Sequence, residues 1–292
     1  MGSSKPIVRG NSLYAIVDGP TWSQAEGNAV KLGGHLAAIN NAGENDWIAN
    51  EFSLDKYDYP GDQNPWDPPS WHHLYLGGRL ENGAWKWSSG EKWWDNFRTE
   101  WVDPTRTDVP VLTGLFNVYL RGQYYLGDGQ GTFVWYPVAD QTQSEIHSQN
   151  KNGKGIAEIP LNLSITRSTT PKEGTGPFTT TIYLSAGTQS SGNLAEGFQV
   201  WWKVTGITQD DLASGALTGS GTITIGKLDI QHSLVSDNDK GEQFSVSVYS
   251  DSGLTQEIGT SSSVEVQEAP IVRGNSLYTI VDGPSWSEAE NQ

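Results

Sequence analysis

The sequence contains no cysteine in its 292 residues. This absence excludes cysteine nucleophiles, thiolate metal sites and disulfide bonds together. Basic residues are scarce as well. The chain has 18 Lys and Arg residues and 34 Asp and Glu residues, which gives a net charge of −16. A chain this acidic is a poor partner for nucleic acid or for an anionic membrane surface. We therefore expect no nucleic-acid binding, and the acidity suits a solvated surface or divalent cations.

Long apolar runs are also absent, and none approaches the ~20 residues needed to span a bilayer, so we expect no membrane insertion. The five histidines are His35, His72, His73, His147 and His232. His72 and His73 are adjacent, so on a strand they point to opposite faces and cannot chelate together. No histidine lies in a zinc-protease or Ser-His-Asp pattern, and nothing specifies a glycosidase pair of carboxylates. We expect no enzymatic activity.

An internal repeat organises the chain. Residues 6–14 (PIVRGNSLY) recur as residues 270–278, and the match continues to Glu26 and Glu290 at a constant offset of 264, as from Pro6 to Pro270. A near-identical match of this length indicates a tandem array with one full period here and the opening of the next.

The period divides in two by composition. Residues 6–160 contain ten of the 13 tryptophans, whereas residues 161–269 are rich in Thr, Ser, Val and Ile. Apolar residues alternate in the second part, as in Thr180, Ile182 and Leu184, which predicts an antiparallel β-sandwich. We predict three segments: a first domain over 6–160, a sandwich over 161–269, and the truncated start of a second repeat over 270–292.

Helix signals are confined to the first domain. Thr21 and Gln24 form a predicted capping box, and Gly33 and Gly34 end the apolar face that follows it. Asn41 with Glu44 predicts the start of a second helix, and strand signals return at 73–78 and 83–87.

This succession resembles the C-type lectin-like family, with a closing strand similar to cyanobacterial members. The residues that carry the resemblance are 22–26 (WSQAE), 32–39 (LGGHLAAI), Glu44 with Trp47 and Ile48, 76–78 (LGG), 85–90 (WKWSSG) and 155–161 (GIAEIPL). The resemblance implies an α+β C-type-lectin-like first domain in which the strand 13–17 pairs with 155–161.

In that family, calcium-dependent sugar binding uses an Xaa-Pro-Xaa loop followed by Trp-Asn-Asp. Here the nearest equivalents are Asp103-Pro104-Thr105 and residues 131–136 (GTFVWY), which lack the oxygen ligands that Ca²⁺ requires. Aromatic residues remain, and aromatic faces stack on sugars and anchor protein interfaces. The candidate ligand-binding residues are Trp93, Trp94, Trp101, Asp103, Trp135 and Tyr136. The alternative is that these aromatics fill the core of an irregular region.

The second domain resembles the Calx-β and immunoglobulin-like repeats of large tandem-repeat surface proteins. The residues that carry this resemblance are 172–174 (KEG), 207–221 and 242–244 (EQF) after 237–239 (DND). The resemblance implies calcium at one end of the sandwich, with the candidate ligands Glu173, Asp211, Asp237, Asp239 and Glu242. Ordinary turn formation by Asp and Asn is the alternative for 237–239.

Two functions follow from these expectations. The chain is either a binding module of an extracellular or cell-surface adhesin, recognising a glycan or protein through its first domain, or a structural brick of a fibre. The strand and short helix signals of residues 270–292 predict that this segment is ordered only when its apolar residues are covered. We expect the sandwich end of the same chain or a neighbouring molecule to cover them, the latter giving head-to-tail self-association.

Overall fold

The computed structural model describes residues 6–52, 73–82, 84–94, 110–115, 134–139, 154–237, 241–269, 271–273 and 276–278. The chain forms two compact units. Unit 1 comprises Met1–Val8, Ser12–Pro160 and Ala186–Leu194, and unit 2 comprises Arg9–Asn11, Leu161–Ser185 and Ala195–Gln292.

Unit 1 contains both described helices and a sheet. Its elements are β1 (Ile7–Arg9), β2 (Ser12–Asp18), α1 (Trp22–Lys31), β3 (His35–Leu36), α2 (Ala42–Glu51), β4 (His73–Glu81), β5 (Ala84–Trp87), β6 (Pro110–Leu115), β7 (Val134–Ala139) and the first half of β8 (Lys154–Arg167). The second half of β8 belongs to unit 2.

The strand β8 organises the sheet of unit 1. It runs antiparallel to β2 over seven residue pairs, from Ser12 opposite Pro160 to Asp18 opposite Lys154. It also pairs with the short β3 and, in parallel, with β4. The strand β4 then pairs with β5 and β6, and β6 pairs with β7. The predicted pairing of 13–17 with 155–161 is confirmed.

Local chemistry explains where α1 begins and ends. The Thr21 side chain accepts a hydrogen bond from the Gln24 amide while the Gln24 side chain accepts one from the Thr21 amide, so the predicted capping box is confirmed. After the helix, Gly33 takes a positive φ of 89°. A Cβ on Gly34 would lie 2.0 Å from the carbonyl oxygen of Glu158, so only glycine lets β8 pass this closely.

The core of unit 1 forms where α2, β2, β4 and β8 meet. Its buried members are Tyr14, Ala37, Ala38, Ile39, Ile48, Phe52, Leu74, Leu76, Trp87 and Ile156. Trp22, on α1, is buried too and donates a hydrogen bond from Nε1 to the Leu76 carbonyl oxygen at 2.7 Å. Each large apolar side chain buried in this way stabilises the unit by about 1.5–3 kcal/mol.

Unit 2 is built from strands alone in its described residues. They are β9 (Phe178–Ala186), β10 (Gln199–Thr205), β11 (Leu212–Ser214), β12 (Thr218–Thr222), β13 (Lys227–Leu234), β14 (Gln243–Tyr249), β15 (Glu257–Thr260) and β16 (Val264–Glu265), followed by the hairpin β17 (Ile271–Arg273) and β18 (Ser276–Tyr278).

These strands form a sandwich. One layer has the order β11-β13-β9-β8, and the other has the order β12-β10-β14-β15 with β16 beside β14. Side chains of the two layers touch: Phe178 on β9 lies 5.1 Å from Phe244 on β14, and Trp202 on β10 lies 5.5 Å from His232 on β13, between ring centroids. Alternate residues of β9 and β10 are buried, as period-two patterning requires.

The expected α+β C-type-lectin-like class is wrong. Strands account for 49% of the structure and helices for 11%, with two helices among the described residues, and this composition fits an all-β fold. The two helix signals at 21–34 and 41–52 are real, but each is a local feature of ten residues. Class is decided by long-range strand pairing, and pairing through β8 joins segments more than a hundred residues apart.

Candidate functional site

The candidate aromatic residue Trp93 belongs to a stack of three indoles. Its ring centroid lies 4.4 Å from that of Trp87 and 5.8 Å from that of Trp85, with interplanar angles of 23° and 22°. Trp87 is buried, whereas Trp85, Trp93 and Trp94 are half-buried and pack against the core of unit 1. The stack therefore favours a packing role for Trp93, and its half-buried rings keep a partial outer face.

The stack also explains how β5 orients its tryptophans. Trp85 and Trp87 are two residues apart on the strand, so they share a face. Both contact Trp93, which satisfies that expectation.

The other candidate ligand-binding residues are only partly described. Trp101 and Asp103 lie outside the described residues. Trp135 and Tyr136 lie on β7, opposite Gly114 and Thr113 of β6.

In unit 2, four of the five candidate calcium ligands come together. We call Glu173, Asp211, Asp237 and Glu242 the acidic cluster. Their proximity follows from the topology, because the backbone bonds Val235 N to Asp211 O (2.8 Å) and Val266 N to Glu242 O (3.0 Å) bring the strand ends together. Glu173 joins them through its bridge to Leu234 at the end of β13. Asp239 lies outside the described residues.

Two members of the acidic cluster are buried. Glu173 is 1% exposed and Asp211 is 5% exposed. Burial would raise the pKa of Asp211, but hydrogen bonds from the Thr208 amide (2.6 Å) and hydroxyl (2.9 Å) and from Glu242 hold that pKa below its usual value. Asp211 is therefore the charged member that the fold supports most strongly.

Glu242 and Glu173 are electrostatically frustrated. Burial, together with the hydrogen bond to Asp211 and the charges of Asp211, Asp237 and Glu173, raises the pKa of Glu242 to about 7. Burial also raises the pKa of Glu173, whose Oε2 accepts a 3.4 Å hydrogen bond from the Asp237 amide. Its Oε1 is buried and has no hydrogen-bond partner among the described residues. Near neutral pH, Glu242 shares a proton with Asp211.

The acidic cluster can bind positive charge, in the form of a proton or of a cation that replaces it. Within the part of the chain that the structure describes, no group of three or more His, Cys, Asp or Glu side chains has a spacing that would hold a metal ion. A cation at the acidic cluster would therefore need its side chains to rearrange.

Sequence reasoning missed a buried polar site in unit 1, which we call the Tyr14 bridge: Tyr14, Glu44 and Glu158. The Tyr14 Oη lies 2.9 Å from Glu44 Oε1 and 2.8 Å from Glu158 Oε1. A phenol has one proton and can donate to only one carboxylate, so the second contact requires a proton on a carboxyl group. The one available signal was Glu158 itself, a carboxylate within the apolar run 155–161.

The electrostatics of the Tyr14 bridge place that proton. Burial raises the pKa of Glu158 to about 7, with the charges of Glu91 and Glu44 acting in the same direction and hydrogen bonds from Tyr14 and Ser12 opposing it. Burial, followed by the charges of Glu158 and Glu44, raises the pKa of Tyr14 far above its usual value. Glu44 is held by the Asn40 amide at 2.8 Å. Below about pH 7, Glu158 is therefore the carboxyl group of the Tyr14 bridge that gains a proton.

Comparison with known proteins adds no relative. No protein-family model matches the chain, and a search of curated proteins found none that is significantly similar to it. The family resemblances therefore stay predictions. Among the described helices, none is both long enough and apolar enough to cross a membrane.

Proposed function

We propose that this chain is a non-catalytic repeat unit of an extracellular or cell-surface protein, in which the two units serve as structural modules. The observation that carries the proposal is the recurrence of the first hairpin. Ile7–Arg9 and Ser12–Tyr14, at the start of unit 1, recur at an offset of 264 as β17 and β18, which form an antiparallel hairpin. The same local structure thus arises twice, as expected of tandem modules.

The location is supported by the resemblance of residues 161–269 to surface-protein repeats. Antibodies raised against the chain should label intact, unpermeabilised cells of the source organism, and protease treatment of those cells should remove the signal. Labelling that requires permeabilisation would contradict the proposal. The net charge of −16 further supports the expectation that nucleic acid is not a partner.

A glycan- or protein-binding role for unit 1 is the second candidate. It is favoured by the half-buried rings of Trp85, Trp93 and Trp94, since a partly open indole can stack on a sugar ring. A glycan array probed with the labelled chain, with and without EDTA, separates the two functions. The structural role predicts no glycan above background. Binding that survives EDTA and is lost in Trp94→Ala, but not in Trp201→Ala of unit 2, would favour the binding role.

We also propose that the acidic cluster of unit 2 takes up calcium. The support is the convergence of four carboxylates at one end of the sandwich and the buried Glu173 Oε1, which has no hydrogen-bond partner among the described residues. Asp239, which lies outside the described residues, is a further candidate ligand by sequence. Calorimetry with CaCl₂ on the wild-type chain and on Asp237→Asn tests the proposal, with the exposed Asp229→Asn as a matched charge control. Equal heats in the wild type and Asp237→Asn would refute it.

A further inference from the structure

The edge of β8 in unit 1 accepts a strand whose sequence occurs twice in this chain. Residues Ser12–Asp18 read SLYAIVD and pair with β8 along all seven positions. Residues 276–282 read SLYTIVD, so the two segments differ only at Ala15 and Thr279. Both begin with the same preceding hairpin residues, 6–11 and 270–275.

The side chains of β2 that are buried against β8 and its neighbours are identical in residues 12–18 and 276–282. Leu13 is 0%, Tyr14 2% and Val17 5% exposed, and their counterparts are again Leu, Tyr and Val. The single difference falls at Ala15, which is only half-buried. Threonine there adds a β-branched side chain, which strands favour. The second segment therefore meets the packing requirements of this edge.

The Tyr14 bridge makes the edge selective. Glu158 on β8 and Glu44 on α2 both contact the phenol oxygen of Tyr14, at 2.8 and 2.9 Å. A strand without tyrosine at this position would leave the buried Glu44 and the half-buried Glu158 without their shared partner, which is costly. Tyr278 stands at the equivalent position of the second segment, so it can remake both hydrogen bonds.

The second segment already has the right local form. Ile271 pairs with Tyr278, Val272 with Leu277 and Arg273 with Ser276, which makes β17–β18 a hairpin. In unit 1 the strand β2 pairs with β1 on one side and with β8 on the other. Among the described residues, β18 pairs only with β17. A two-stranded hairpin alone is marginally stable, and its unpaired edge is a template for another strand.

We propose that residues 270–282 of one molecule replace residues 6–18 of a second molecule against its β8, so that copies of the chain join head-to-tail by strand exchange. The inference rests on the repeat-unit function proposed above and identifies its partner as another copy of the same repeat. Because donor and acceptor edges lie in different parts of the chain, the contact is heterologous and extends into a filament unless the rotation closes a ring.

Cysteine cross-linking tests the register directly, because the chain has no cysteine of its own. Ala15 and Ala157 are directly opposite in the β2–β8 pair. Directly opposite residues lie within disulfide reach. The full 292-residue chain carrying Thr279→Cys and Ala157→Cys should form, under mild oxidation, a ladder of dimers and higher species whose yield rises with protein concentration.

Two control pairs calibrate the experiment. Ala15→Cys with Ala157→Cys should close within the monomer and shows that the site permits a disulfide. Ser276→Cys with Ala157→Cys is out of register by three residues, or ~10 Å along a strand, and should give at least tenfold less cross-linked product. Equal yields of cross-linked oligomers from the Thr279–Ala157 and Ser276–Ala157 cysteine pairs would indicate non-specific collision and overturn the proposal.

A proline background separates exchange from simple failure to fold. Ala15→Pro removes a backbone hydrogen bond from β2 and should increase the yield of cross-linked oligomers. Thr279→Pro should abolish these cross-linked oligomers. If Ala15→Pro fails to fold, the ladder in the wild-type background still decides. Absence of the ladder while the Ala15–Ala157 control closes, or a Thr279–Ala157 bridge found only within monomers, overturns strand exchange. Surface labelling of intact cells is unaffected by either result, so the repeat-unit function stands or falls separately.

Discussion

The phenol oxygen of Tyr14 lies 2.8 Å from a carboxyl oxygen of Glu158, which is on the neighbouring strand and 144 residues away in sequence. A second carboxyl oxygen, from Glu44, lies 2.9 Å from the same phenol. Three acidic groups thus meet inside unit 1, and burial raises the pKa of one of them, Glu158, to about 7. The stability of this unit is therefore coupled to pH in a range where most carboxyl groups have long been ionised.

The sign of that coupling follows from the raised pKa of Glu158. The folded state holds its proton up to about pH 7, whereas the unfolded chain releases it near 4.5. The folded state binds more protons between these values, so the free energy of unfolding should fall as pH rises from 4.5 to 7. The loss should be up to roughly 3 kcal/mol, at about 1.4 kcal/mol for each pKa unit.

Urea unfolding followed by tryptophan fluorescence measures this slope, because ten of the 13 tryptophans lie in residues 6–160. In Glu158→Gln the contribution should disappear, since the amide does not titrate. Glu242→Gln, in unit 2, is the control, because the pKa of Glu242 is also raised to about 7. A pH slope that Glu158→Gln leaves intact would contradict the assignment of the proton.

Tyr14→Phe should destabilise unit 1 by about 1–3 kcal/mol, the cost of leaving buried polar groups without their partner. The change removes one oxygen and leaves the ring to fill the same space. Tyr183→Phe is the matched control, because Tyr183 is 45% exposed and its hydroxyl can reach water. Denaturant midpoints of the two variants should differ clearly. Equal midpoints would mean that the bridge contributes nothing to stability.

The tryptophan stack predicts an unequal pair of substitutions. Trp87→Ala should cost about 3–5 kcal/mol, the range for large-to-small changes at buried aromatic positions. Trp85→Ala should cost less, because Trp85 is half-buried whereas Trp87 is 3% exposed. Both variants remove an indole that stacks on Trp93, so both should shift the fluorescence of Trp93. A larger loss of stability in Trp85→Ala than in Trp87→Ala would show that the half-buried indole contributes more to the stack than the buried one.

Calcium binding at the acidic cluster should depend on pH. Burial and neighbouring charges raise the pKa of Glu242 to about 7, so a cation must displace its proton below that value. The apparent calcium affinity should fall up to tenfold for each pH unit below 7 and level off above it. Titrations at pH 6 and 8 in buffers of different ionisation heat would detect the released proton. Glu242→Gln should remove the pH dependence of calcium binding.

Residues 6–160 alone should bind no calcium more tightly than about millimolar.

Truncation after Ala269 should reduce self-association and leave the thermal unfolding of the two units unchanged. The removed residues contribute only the hairpin β17–β18 to the described structure. Light scattering across a range of concentrations compares the two lengths. Identical masses with identical melting would leave residues 270–292 without a role in assembly.

Short-range features of this protein were predictable because their causes are local. The capping box of Thr21 and Gln24 needs only four consecutive residues, and the alternation along β9 and β10 needs only one strand face. The pairing of 13–17 with 155–161 came from a resemblance and is confirmed. The α+β class inferred from the same resemblance is wrong, because two short helices add little to a structure in which 49% is strand.

The sequence by itself determined the repeat, the helix caps, the strand alternation and the residue types that β8 encloses. Only the tertiary structure decided which distant side chains meet: Tyr14 with Glu44 and Glu158, Trp93 with Trp85 and Trp87, and Glu242 with Asp211. The physical reason is that burial and proximity set the pKa of a carboxyl group and the packing of an indole. Neither quantity belongs to a residue alone, since both arise when the sheet brings together segments that are far apart along the chain.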